Sequence, residues 1–134
     1  MPDWLANWLA VGVGGCVGAI ARFQISQTLS AWSEARYGRV WPFGTFAVNI
    51  LGCLAIGILM TLVMEKSLSD RVRLIWITGC FGSLTTFSAF GFETVLLIRD
   101  GRSVLGVANV AANLLFGLVA VLIGIGLARQ FVRA

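Results

Sequence analysis

Four long stretches without a charged side chain dominate this sequence and leave it few ways to fold. Trp4 to Ala21 carries no charge, and after Arg22 the apolar pattern resumes to about Leu29. Phe43 to Met64, Leu74 to Phe92 and Ser103 to Ala128 are likewise uncharged. An α-helix needs about 20 apolar residues to cross a hydrocarbon core. Lipid offers no partner to backbone N–H and C=O groups, so a spanning segment must satisfy them internally, as a helix does. The runs predict an all-α integral membrane fold: four spanning helices at about 4–29, 43–64, 74–98 and 103–128, in one domain of 134 residues. The first run lacks a basic n-region and a small-residue cleavage pattern, so it reads as a span and not as a cleavable signal.

Composition excludes most other functions. The chain is 58% hydrophobic and 12% charged, with a mean hydropathy of +0.90, whereas a soluble domain carries about 25% charged residues. Four spans and their loops use the whole length, which leaves no soluble catalytic or nucleic-acid-binding domain. The net charge of +4 is scattered over short loops, where it anchors helix ends in the interface and does not point to a nucleic acid partner. Cys16, Cys53 and Cys80 are not at CxxC spacing and histidine is absent. This argues against a zinc or haem site and for thiols that serve as small buried packing residues.

The loop charges bear on orientation. Loop one holds Glu34, Arg36 and Arg39, loop two holds Glu65, Lys66, Asp70, Arg71 and Arg73, and loop three holds Arg99, Asp100 and Arg102. With four spans, both termini share a side with loop two. That side carries Lys66, Arg71, Arg73, Arg129 and Arg133; the other carries Arg36, Arg39, Arg99 and Arg102. Orientation follows the Lys/Arg bias of short loops, and here the bias is a single charge. Either that charge orients the chain, or the chain inserts both ways round and pairs as an antiparallel homodimer, the symmetry that other transporters reach by inverted repeats. Gly12, Gly14, Gly15, Gly18, Gly52, Gly57, Gly124 and Gly126 allow close helix approach in lipid, whether to a neighbouring helix or to a second copy.

Polar groups inside lipid are costly and are the first candidates for function. Arg22 either snorkels to an interface or draws anions toward a pore mouth. Glu93 has the same two readings, and could also pair with an arginine of a second subunit. Asn49 sits in a run otherwise free of strong polarity, and Asn109 and Asn113 share one helix face. All three amides suit either interhelical hydrogen bonding or an ion path. The stretch 79–90 is the anomaly, with Gly79, Gly82, Ser83, Thr85, Thr86 and Ser88 close together. Glycine and β-branched residues weaken a helix, so a break mid-membrane is expected, with a continuous helix whose hydroxyls bond back to its own carbonyls as the alternative. A break frees carbonyl oxygens of the kind that suit a hard cation such as Na⁺. Phe87 and Phe90 project from one face. They pack there, or their electropositive ring edges line a path for an anion.

GTFAVN at 44–49 and TGCFGSLTTFSAF at 78–90 resemble the signature stretches of the Fluc fluoride channels, the bacterial fluoride exporters. Arg22 in GAIARF, Glu93, and Asn109 with Asn113 in NVAAN also fall where that family has such residues, and the likeness covers essentially the whole chain. The resemblance implies an antiparallel, dual-topology homodimer in the bacterial inner membrane that lets F⁻ leave the cytoplasm passively and so lowers fluoride toxicity. It implies a fluoride path along Asn49, Phe87 and Phe90, with Ser88 assisting. It also implies a structural, untransported Na⁺ held by the backbone carbonyls of Gly82 and Thr85. Ser83, Ala89, Gly91, Gly117 and Val121 depart from the commoner family pattern and thin the polar track beside the phenylalanines.

Two other classes fit parts of this sequence. A small proton-coupled multidrug-type transporter needs a membrane-embedded carboxylate, and only Glu93, near a helix end, is available. A structural membrane subunit would explain the glycines but not the hydroxyl cluster or the paired phenylalanines. The lack of histidine, of a nucleophile–base pair and of usefully spaced carboxylates argues against an enzyme.

Overall fold

A computed structural model describes residues 2–39, 41–65 and 68–133, and every regular element among them is helical. The elements are α1 (Asp3–Tyr37), α2 (Phe43–Met64), α3 (70–84), α4 (Phe87–Arg99) and α5 (Ser103–Arg133). Four helical stretches are long and apolar enough to cross a membrane: Asp3–Tyr37, Phe43–Met64, Asp70–Arg99 and Ser103–Arg133. The chain is a multi-pass membrane protein.

Several residues assigned from their charge to loops or to the C-terminal tail are helical instead. Glu34 and Arg36 belong to α1, Asp70, Arg71 and Arg73 to α3, Arg99 to α4, and Arg129 and Arg133 to α5. Lys66 lies outside the described residues. The physical reason is that charge-free runs mark the hydrocarbon layer, whereas caps mark helix ends. At 1.5 Å per residue, α1 is about 52 Å long and must tilt or project beyond a core of about 30 Å. It ends where Gly38 takes a left-handed φ of 67° and its N–H donates to the Glu34 carbonyl at 2.8 Å, a cap that a residue without Cβ adopts readily. Gly101 (φ 74°) does the same for α4; the following N–H, of Arg102, donates to the Leu97 carbonyl at 2.9 Å. Aromatic rings collect at both ends of α1, as amphipathic rings do at headgroup level. Trp4 and Trp8 meet edge-to-face at 4.9 Å, and Trp32, Tyr37, Trp41 and Phe43 cluster at the other end.

The glycines divide into two sets. A Cβ on Gly14 would strike the Ile75 carbonyl, and one on Gly18 the Cys80 carbonyl, so α1 lies backbone-to-backbone against α3. Gly57 and Gly124 meet the Val121 and Leu54 carbonyls in the same way and bring α2 against α5. Gly12, Gly15 and Gly126 face open space. Close packing thus substitutes for the hydrophobic effect, which lipid does not supply. The α2 helix is the hub, with Val48 fully buried. Of the cysteines only Cys80 is buried; Cys16, read as a buried packing residue, is exposed because it lies on the face of α1 turned away from the bundle.

Candidate functional site

The third span contains two departures from α-helical geometry. Arg73–Phe81 winds as a π-helix, a rare geometry that concentrates at functional sites, and nothing in the sequence pattern announced it. Further on, Thr85 (φ −76°, ψ 152°) and Thr86 (φ −150°, ψ 115°) are extended, and α4 begins at Phe87.

Asn49 of α2 holds this extended pair. Its Oδ1 accepts the Thr86 N–H at 2.9 Å, and its Nδ2 donates to the Thr86 carbonyl at 3.4 Å. In a continuous helix the Thr86 N–H would serve the Gly82 carbonyl, which is thereby released. The Thr85 carbonyl would receive the Ala89 N–H, but that donor is taken by Thr86 Oγ1 at 3.3 Å as an N-cap. The two carbonyls that the resemblance assigns to Na⁺ are therefore the two whose helical donors are diverted to side chains. Hard, neutral oxygens of this kind fit that cation. Among the described residues no cluster of His, Cys, Asp or Glu forms a metal site.

Asn49 also starts a one-way chain of hydrogen bonds. Its Nδ2 donates to Asn113 Oδ1 (3.1 Å), and Asn113 Nδ2 donates to Asn109 Oδ1 (3.1 Å) and to the Asn109 carbonyl (3.0 Å). Asn109 Nδ2 donates to Thr94 Oγ1 (2.9 Å), and Thr94 donates to the Phe90 carbonyl (2.8 Å). Three helices are joined, and every donor points the same way, an arrangement in which successive bonds polarise one another. Thr94 was not singled out from the sequence; its place one turn after Phe90 is the signal that would have found it.

The rings of Phe87 and Phe90 lie 5.5 Å apart, tilted by 56°. Phe90 is 8% exposed and Phe87 82% exposed, so the pair runs from the interior of the chain to its surface. The exposed Ser88 shares a 3.1 Å hydrogen bond with Thr86. Ser83 bonds the Gly15 carbonyl of α1 at 2.8 Å and so serves packing.

Glu93 accepts a 2.6 Å hydrogen bond from Thr45, another residue that the sequence reading passed over although it lies one turn before Asn49. Its other oxygen, Oε2, is buried without a partner. Arg22 is half-buried and lines a pocket of about 300 Å³ together with Thr45, Thr86, Ala89 and Glu93. The structure therefore gathers Asn49, Phe90, Asn109, Asn113 and Glu93 along the first two turns of α4, with Arg22 across a pocket from Glu93 and Gly82 on the far side of the break.

A short-looped bundle of four spanning helices, with an extended pair held by an amide inside the third, defines a small multi-pass membrane protein with a hydrogen-bonded polar interior. The family profile described as CrcB-like protein, Camphor Resistance (CrcB), matches residues 9–125, and the chain belongs to that family. A Chloroflexus aurantiacus protein named fluoride-specific ion channel FluC is 42% identical over 126 residues, covering 93% of this chain and 97% of the relative. Proteins of the same name from Hydrogenovibrio crunogenus and Clostridium perfringens are each 41% identical. They cover 92% and 90% of this chain, and 91% and 92% of their own lengths.

Proposed function

We propose that this chain is a fluoride-selective ion channel, and not an enzyme, that lets F⁻ leave the cytoplasm down its gradient. The observation that carries this reading is the likeness to proteins named as fluoride-specific channels over at least nine-tenths of the chain. The interior chemistry is compatible with it. Fluoride holds water tightly, so a selective path must replace that water with close donors and positive ring edges. In this reading the ion follows Phe87 and Phe90 past Asn49, with Ser88 beside it and Asn109 and Asn113 fixing the Asn49 amide. Both Asn49 N–H bonds are spoken for in the present geometry, so its donation to fluoride exchanges the long 3.4 Å contact with Thr86 for the ion.

The working unit in this proposal is an antiparallel, dual-topology homodimer in the inner membrane. Support comes from the near-equal loop charges and from Phe87, whose 82% exposure on one protomer leaves half of the aromatic pair uncovered. The break in the third span belongs at mid-membrane, where irregular backbone is tolerated once buried in protein. A structural Na⁺, when bound, supplies a fixed positive charge at the break; Gly82 and Thr85 would hold it through their carbonyls.

The test is anion efflux from proteoliposomes loaded with KF or KCl, with valinomycin carrying K⁺. Rapid fluoride loss without chloride loss is expected. Retention of fluoride by well-reconstituted protein overturns the channel reading.

A further inference from the structure

We propose that a pocket of about 160 Å³ at the end of α4 is an outer station for a small, partly hydrated anion, held by the N–H groups of Arg102 and Trp41. Among the described residues, four buried side-chain polar atoms lack a hydrogen-bond partner: Trp41 Nε1, Glu93 Oε2, Arg102 Nε and Arg102 Nη2. All four belong to residues lining this one pocket. Buried polar groups are nearly always partnered, so such a set calls for a ligand.

The frame around the pocket is preformed. Ser33, fully buried in α1, accepts the Trp41 backbone N–H at 3.1 Å, and the Trp41 ring stacks on Phe43 at 6.0 Å and 14°. The Arg102 guanidinium carbon lies 4.5 Å from the centre of the Trp41 ring, a cation–π contact. The Arg102 carbonyl accepts the Leu105 and Gly106 N–H groups at 3.0 and 3.1 Å and so starts α5. The main chain of both residues is thus fixed at helix junctions, and their side chains rest on one another.

The chemistry selects the occupant. Three open N–H donors, two of them on a guanidinium without an ion pair among the described residues, oppose a bare cation. A bare anion would satisfy the donors but leave Glu93 Oε2 facing it. An anion that keeps a water satisfies both, because the water can donate its free O–H to Oε2. Asp100 also lines the pocket, but it is exposed to solvent. Glu93 lines the neighbouring pocket with Arg22 and Thr86 as well, so an ion shedding its water here leaves past Glu93 toward the start of α4. This inference rests on the fluoride-channel reading, and the anion is then fluoride.

Fluoride efflux from proteoliposomes, measured over a range of internal fluoride concentrations, tests it. Arg102→Gln is expected to raise the half-saturating concentration about 10-fold, the loss of one charge-assisted contact, while maximal flux changes less than about twofold. Trp41→Phe keeps the ring beneath Arg102 and removes only Nε1–H, and is expected to raise it about 2–3-fold. Wild-type concentration dependence in both variants overturns the station even with fluoride flux intact. Absence of flux in the wild-type protein overturns the channel reading instead. Should Arg102→Gln fail to reconstitute, Trp41→Phe decides alone, by the same two outcomes.

Discussion

Two polar regions lie within this bundle and are finished in opposite ways. The amide chain from Asn49 through Asn113 and Asn109 to Thr94 has every link closed at 2.8–3.1 Å and ends on a backbone carbonyl. The group formed by Trp41, Glu93 and Arg102 leaves four buried polar atoms open. A closed chain fixes geometry, and it ties the break at Thr86 to two further helices. An open set is poised for something that enters and departs. Pore proteins need both, because a selective path must be rigid where the ion loses water and unsatisfied where the ion is welcomed.

The largest effect is expected where the closed chain meets the break. Asn49→Ala removes the acceptor for the Thr86 N–H and leaves that donor without its partner, a loss of about 1–3 kcal/mol. Fluoride flux should fall more than about 10-fold, a factor that about 1.4 kcal/mol already produces. A variant that conducts normally would show that Asn49 is not what holds the extended pair in place.

The two phenylalanines separate packing from conduction. Phe90→Ile truncates a ring that is 8% exposed and should cost about 1–3 kcal/mol in a detergent unfolding titration as well as flux. Phe87→Ile alters a ring that is 82% exposed on the single chain, so it should reduce flux while leaving the stability of the chain's own fold within about 0.5 kcal/mol. Unchanged flux in both variants refutes the ring-edge role.

A smaller effect sharpens the contrast between the regions. Asn49→Ala combined with Asn109→Leu should be non-additive in stability by about 0.5 kcal/mol or more, since both cut one chain. Asn49→Ala combined with Arg102→Gln should be additive within about 0.5 kcal/mol. Equal coupling in the two cycles would mean that the chain and the pocket form one network.

The membrane class and the four spans were legible because hydrocarbon tolerates charge so poorly that charge-free runs mark it in any sequence. Helix ends were less legible. The sequence reading ended α1 at Leu29, whereas its helix runs to the cap at Gly38, which depends on a backbone conformation and not on polarity. Asn49, Asn109 and Asn113 stood out as amides in apolar runs, but their direction of donation and their meeting through Asn113 depend on how α2 and α5 pack. The π-helix was not legible, because its residues have no spacing that separates it from an α-helix. Arg102 reads as a loop-three charge, and nothing in the sequence singles out Trp41. What sets them apart is the burial of their N–H groups, a property of the folded chain alone.

The smallest effect concerns Arg22. It lines the pocket of about 300 Å³ without an ion pair among the described residues, and lies across from Thr86 and Glu93. Its charge acts on an approaching anion through the field in a low-dielectric pocket, which raises the local concentration of permeant ions. Such a contribution adds to rate and not to discrimination between anions. Arg22→Ala should therefore lower fluoride flux about 2–5-fold at low ionic strength, with chloride still excluded. Screening gives the decisive arm. At about 0.1 M salt the Debye length is about 10 Å and shrinks as salt is added, so the deficit should narrow steadily with an impermeant electrolyte. Arg22→Lys should restore flux, because a point charge is all the field requires. A deficit that ignores ionic strength would place Arg22 in contact with the ion, and complete loss of fluoride selectivity would make it part of the filter.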